Sequence, residues 1–389
     1  MSAMGMSSLP SAFSRKKIAR KGAPAGETSG SSSPYSAWGT LLPSFWLPTL
    51  YGDHDGTVVG AMTAGQDAIG YNSYYLEGGY GVGSGEGYGH LFYRNDYYYP
   101  TVSLEAYRRP LAYALYRPAD DDYEYFYEEE KSLSLSVSLP VNRLESRTEL
   151  EAGFEWQERA PFSDLTGGQF YGVDIFEGRS HNAFVGLSHG SSLKYPYSIS
   201  REEGWDGSLY YHRYAPGLGS DFELERWLYT LSLYGRLPFT PARHDLLSLS
   251  IRGGASNGDD IWQMRYHLGG IPNFTEFPLR GYPDRFLSGK NIVTTTLEYR
   301  LPLWYILRGW NTKPFFFDRL HTAAFLDGGV VWDDADSYDR DEIRCGAGVE
   351  VRFDMVLGYL LEITPAIGIA QGLGHGGEAQ AYFTIYVDL

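Results

Sequence analysis

The sequence predicts an all-β protein, a closed antiparallel transmembrane β-barrel of about sixteen strands. Three observations predict it: apolar and polar residues alternate with period two along many stretches, Tyr and Gly dominate (33 and 47 against 6 Met), and charges stack on the polar phase. Period two with one apolar face is the mark of a half-buried strand. Aromatic rings suit a pleated surface, whereas Gly weakens helix interiors. Stacked charges such as Glu149, Glu151 and Glu155 suit a water-filled lumen better than the inside of a soluble sandwich. Mean hydropathy is −0.32, a soluble value, but a barrel strand averages to near neutral because lipid-facing and lumen-facing residues alternate. No stretch holds the roughly 18 apolar residues of a spanning helix, and Pro43 and Pro48 break the least charged region.

Taken in chain order, segment 1–35 is rich in Ser, Gly, Ala and basic residues and reads as a disordered tail, leaving 36–389 as the barrel domain. Arg15-Lys16-Lys17 looks like the start of a signal peptide, but no apolar run follows. The expectation is therefore that the chain is the barrel portion of a longer protein, or that its start lies downstream of the true one. Strands are expected near 41–51, 56–66, 69–80, 86–97, 99–108, 123–139, 146–157, 178–189, 199–213, 221–236, 243–255, 289–303, 316–332, 339–354, 356–371 and 376–389. Leu133-Ser134-Leu135-Ser136-Val137-Ser138-Leu139 alternates without exception. The last strand sets Ala381, Phe383, Ile385, Val387 and Leu389 against Tyr382, Thr384, Tyr386 and Asp388. Residues 256–288 form the longest gap, and a loop of that length is expected to be functional or disordered.

Inside that gap stands Pro278-Leu279-Arg280-Gly281-Tyr282. Leu297-Glu298-Tyr299-Arg300-Leu301-Pro302-Leu303 and then Phe325-Leu326-Asp327-Gly328-Gly329 follow on the next two strands. An arginine in a confined lumen needs an acidic partner, because an unpaired charge at lowered dielectric is costly. Glu298 and Asp327 both fall on the lumen phase, and Gly281 would permit a turn that a side chain would block. With these motifs the chain resembles the bacterial surface antigen superfamily of outer-membrane assembly and secretion barrels, which includes the central subunit of the barrel assembly machine and the two-partner secretion transporters. The resemblance implies sixteen strands, with Leu279, Arg280, Gly281 and Tyr282 as the tip of a loop folded into the lumen. It also implies that Glu298, Arg300, Phe325, Asp327 and Gly329 are the wall that receives that tip. A second likeness, in the run from Trp38 to Pro48 and in Gly65-Gln66-Asp67, is to barrels fused behind a periplasmic β-propeller.

The function this implies is insertion of outer-membrane proteins, or translocation of a polypeptide or lipid, in the bacterial outer membrane. Implied partners are outer-membrane lipids, unfolded polypeptide clients and a periplasmic domain outside this chain. A passive, cation-biased pore is the alternative, and a soluble β-structural or binding protein the outsider. A net charge of −16 excludes a nucleic-acid partner. The nine His show no zinc spacing and there is no Gly-x-Ser-x-Gly elbow, so no metal, cofactor or enzyme is expected. Cys345 falls on the outward phase, as an apolar filler. Asp53-His54-Asp55-Gly56 reads as a turn, Gly79 to Gly89 as a hairpin, and Asp120-Asp121-Asp122 with Glu128-Glu129-Glu130 as a solvated loop and strand end.

Overall fold

The computed structural model describes residues 35–37, 39–117, 122–162, 169–170, 172–236, 244–334, 343–358 and 361–388. The tail expected over 1–35 lies outside these, apart from its last residue. The described residues form one antiparallel meander: β1 (Leu47–Asp53), β2 (Gly56–Gln66), β3 (Asn72–Gly81), β4 (Gly87–Asn95), β5 (Thr101–Arg117), β6 (Asp122–Asn142), β7 (Arg147–Pro161), β8 (Gly178–Arg179 and Asn182–Gly190), β9 (Gly204–Tyr214), β10 (Leu224–Gly235), β11 (Leu246–Gly258), β12 (Asn291–Gly309), β13 (Phe315–Trp332), β14 (Arg344–Leu357), β15 (Leu361–Gly372) and β16 (Ala379–Asp388). The sheet holds 17 segments, and the two that make up β8 both pair with β7 as halves of one interrupted strand, so the wall has sixteen. Each strand pairs with the next in sequence.

Every predicted stretch contains a strand, and the differences in length have physical causes. β1 begins at Leu47 and not near 41, past Pro43, since proline is confined to strand starts and edges. β5 continues through Pro110 to Arg117, well beyond 108. Its pairing with β4 stops at Arg108, so Pro110 sits where β5 has become an edge strand and its missing N–H costs no ladder bond. β12 passes Pro302 by means of irregularities at 302–304 and 305–308.

The two faces are those the alternation predicted. Leu133, Leu135, Val137, Leu187, Leu209, Val349, Ile367 and Phe383 point outward and stay exposed around the whole sheet. An apolar belt of that extent is the outer face that the transmembrane-barrel fold carries. Ser132, Ser136, Ser138, Glu298, Asp327 and Glu350 point inward and are buried. Contacts between strands distant in order show that the sheet is rolled. Arg319 on β13 donates to the Ser198 carbonyl in the β8–β9 turn, and Gln263 in the β11–β12 loop donates to Glu128 on β6 at 3.2 Å.

At the seam the structure departs from a closed cylinder. Among the described residues β1 pairs only with β2 and β16 only with β15. β1 is short and carries Pro48 and Gly52, both of which weaken a ladder.

The mouth on the long-loop side is roofed. The extension of β5 and β6 packs Leu111, Tyr113 and Phe126 against Ile175, with Phe170, Val173 and Trp262 around them. A second cluster joins Tyr214, Phe222, Leu224 and Met264. Here the reading of Glu128-Glu129-Glu130 as solvated is corrected. Glu128 and Glu130 lie within β6 on its inner phase and are buried. Arg159, across the ladder on β7, holds Glu128 at 3.0 Å and Glu130 at 2.9 Å. Only Glu129 turns outward, to Lys131 at 2.6 Å. Of the acidic run before them, 120–121 lie outside the described residues.

Candidate functional site

The β11–β12 loop enters the lumen and packs against β12 and β13. Leu268, Phe277, Leu279 and Tyr282 from the loop join Ile292 and Val331 from the wall in one buried apolar cluster. That cluster sets the height at which Arg280 arrives. Its burial is the hydrophobic stabilisation that offsets the cost of ordering so long a loop.

Arg280 is 2% exposed. Its Nε and Nη2 donate to the two oxygens of Asp327 at 2.7 and 2.8 Å, a bidentate pair. Nη1 donates to Glu298 at 3.2 Å and to Glu350 at 2.8 Å. The guanidinium carbon stands 3.3 Å from the centroid of the Phe325 ring, so the plane of the cation is stacked as well as bonded. Three carboxylates around one cation would be unstable alone. Two further arginines balance them: Arg352 donates to Glu350 at 2.6 Å and to Glu298 at 3.0 Å, and Arg300 pairs with Glu298 at 2.6 Å. Tyr382 and Tyr386 on β16 donate to the remaining lone pairs of Glu350, at 2.5 and 3.2 Å. Three cations thus face three anions, with the lone pairs largely satisfied, the condition under which a buried ionic network is tolerated.

The glycines of both motifs have a steric reason. Gly281 has φ of 89°, and a Cβ there would lie 2.3 Å from the Gly372 nitrogen. At Gly329 a Cβ would lie 2.6 Å from Leu268, so that glycine makes room for the loop against the wall. Gly281→Ala is therefore expected to lower stability by about 2–4 kcal/mol, through strain and a backbone clash that cannot relax. Chemical denaturation of the folded protein in detergent checks this; a loss below about 0.5 kcal/mol would mean the turn is not as described.

All nine residues singled out from the sequence are accounted for. Leu279, Arg280, Gly281 and Tyr282 form the buried tip, and Glu298, Phe325, Asp327 and Gly329 receive it. Arg300 does not touch Arg280; it holds Glu298 and reaches Ser200 at 2.7 Å in the β8–β9 turn. Glu350, Arg352, Tyr382 and Tyr386 belong to the same network and were not singled out. Their only sequence signal is the inward phase of β14 and β16. Among the described residues no three His, Cys, Asp or Glu side chains are grouped to hold a metal ion.

No family model matches the chain, and no curated protein matches it. Solved structures do. BamA from Haemophilus ducreyi, in a form lacking POTRA domains 1–3, is matched at TM-score 0.57 and 14% identity over 88% of this chain and 69% of that one. CdiB from Escherichia coli is matched at TM-score 0.56 and 15% identity over 89% of this chain and 62% of that one. CdiB from Acinetobacter baumannii is matched at TM-score 0.54 and 13% identity over 88% and 59%. The chain thus spans under two thirds of either CdiB. With its sixteen-stranded meander and its inward loop pinned by Arg280, the chain has the barrel fold of BamA and CdiB.

Proposed function

We propose that this chain is an outer-membrane barrel that inserts membrane proteins or passes a polypeptide or lipid across the membrane, using the seam between β1 and β16 and no catalytic chemistry or cofactor. The observation that carries the reading is the seam itself: the outer edges of β1 and of β16 have no ladder partner among the described residues. An unpaired edge presents a row of N–H and C=O groups that can template an incoming strand. The roofed mouth and the pinned loop support the same reading, since both obstruct a permanently open channel. Lipid contacts the apolar belt, unfolded polypeptide is the client, and a periplasmic domain outside this chain would deliver it.

A passive pore is favoured by one observation, the acidic lumen wall of Glu77, Glu105, Glu149, Glu151 and Glu155 on β3, β5 and β7. Single-channel recording separates the two. The proposed barrel shows small, erratic openings, whereas steady, large, cation-selective conductance contradicts it. Depleting the chain in its host should also lower the amount of assembled barrel proteins or of a secreted product. An unchanged outer membrane and secretome would rule the proposal out.

A further inference from the structure

We infer that the lumen loop also caps the open edge of the last strand, so that β16 accepts an incoming strand only after this loop lifts. The inference rests on the reading of the seam as the place where clients engage. Ile385 on β16 lies opposite Pro365 on β15. The ladder alternates from the Gly372 N–H, which donates to the Glu378 carbonyl, so the backbone groups of Ile385 point away from β15, to the open edge, where no ladder donor meets its carbonyl. The donor comes from the loop: Nδ2 of Asn273 reaches the Ile385 carbonyl at 3.1 Å and the Thr384 hydroxyl at 3.1 Å. Thr384 in turn donates to the Pro272 carbonyl at 3.2 Å.

The turn that presents Asn273 is built for it. Asn273 has φ of 71°, a left-handed conformation that asparagine tolerates better than most side chains. The Phe274 N–H and the Thr275 hydroxyl both donate to the Ile271 carbonyl, at 3.3 and 3.4 Å. Ile271 itself packs against Phe325, Ala370 and Tyr382, which fixes the turn to the inner wall beside the network of Arg280.

The same loop holds the other end of β16. The Gly281 carbonyl accepts from the Glu378 N–H at 2.9 Å, and the Gly281 N–H donates to the Gln380 side chain at 3.2 Å. Two backbone bonds tie the two contacts together: the Gly270 N–H donates to the Tyr282 carbonyl at 3.2 Å and the Leu279 N–H to the Gly270 carbonyl at 3.2 Å. The cap at Asn273 and the anchor at Arg280 therefore move as one piece. A strand added to β16 competes with Asn273 for an edge carbonyl, and release of the Arg280 anchor frees both.

Hydrogen exchange on the full chain in detergent tests this directly. Asn273→Ala should speed exchange of the β16 amides between Phe383 and Val387 by about fivefold to tenfold while leaving β10 and β11 unchanged. A cysteine pair, Asn273→Cys with Thr384→Cys in a Cys345→Ser background, should slow the same amides below wild type when oxidised and release them when reduced. Reversibility within one folded sample keeps the test independent of any folding defect in a single variant. Unchanged exchange in Asn273→Ala, or no difference between the oxidised and reduced pair, overturns the cap. If exchange responds in both variants but assembly or secretion in the host is the same with the pair oxidised or reduced, the cap stands and the seam reading falls.

Discussion

Arg280→Ala is expected to lower the stability of the folded barrel by about 3–5 kcal/mol, the cost of removing one partner from a buried ionic network. The change strips Asp327 of both its side-chain donors from Arg280 and leaves Glu298 and Glu350 sharing Arg300 and Arg352. It also removes the cation from the face of Phe325. Arg280→Lys should recover only part of the loss, because an ammonium cannot reproduce the two parallel bonds to Asp327 or the planar stack. The readout is the temperature at which the folded, heat-modifiable band is lost on a gel, with denaturant titration for the free energy. Alanine at wild-type stability would mean that the loop is held by its apolar cluster alone.

The second large effect is expected at Arg159, on the opposite wall. Arg159 is the shared partner of Glu128 and Glu130, both buried, and also donates to Tyr113 at 2.7 Å. Among the described residues, Arg159→Ala leaves Glu128 with Tyr113 and Gln263, and Glu130 with the half-buried Arg109, Gln157 and Tyr107. A loss of about 3–5 kcal/mol follows from the uncompensated buried carboxylates. Because Gln263 belongs to the lumen loop and Tyr113 to the roof, this variant should also loosen the roofed mouth, seen as longer and larger openings in single-channel traces. Replacing Arg159 by Met together with Glu128 and Glu130 by Gln should restore most of the stability, since neutral residues of similar volume remove the desolvation cost. A single variant that is as stable as wild type would show that water, and not Arg159, solvates those carboxylates.

Much of this architecture was legible in the sequence because period two states directly which residues face inward. Strand β2 was placed at its observed bounds, and all sixteen strands were located, since each outward-facing row had to be apolar. Arg280 with Asp327 and Glu298 was legible for a different reason. A guanidinium in a lumen requires carboxylates, and the glycines beside it marked close approaches of backbone.

What alternation cannot report is height. Glu350 and Arg352 had the inward phase, yet nothing in β14 said that they stand level with Arg280, because level is fixed by strand stagger and by where the loop stops. The same limit explains Glu128 and Glu130. Three consecutive acids look like a solvated run unless Arg159 is known to lie across the ladder. The seam was hidden too, since it is defined by bonds that β1 and β16 do not make with each other.

A double-mutant cycle on Arg280→Ala and Asp327→Ala tests the central claim most directly, that an inward-folded loop is pinned to the barrel wall by this ion pair. The structure predicts a coupling of about 2–3 kcal/mol, the upper part of the range for residues in direct contact within one network. Additive losses, within about 0.5 kcal/mol, would place Arg280 and Asp327 apart and contradict it.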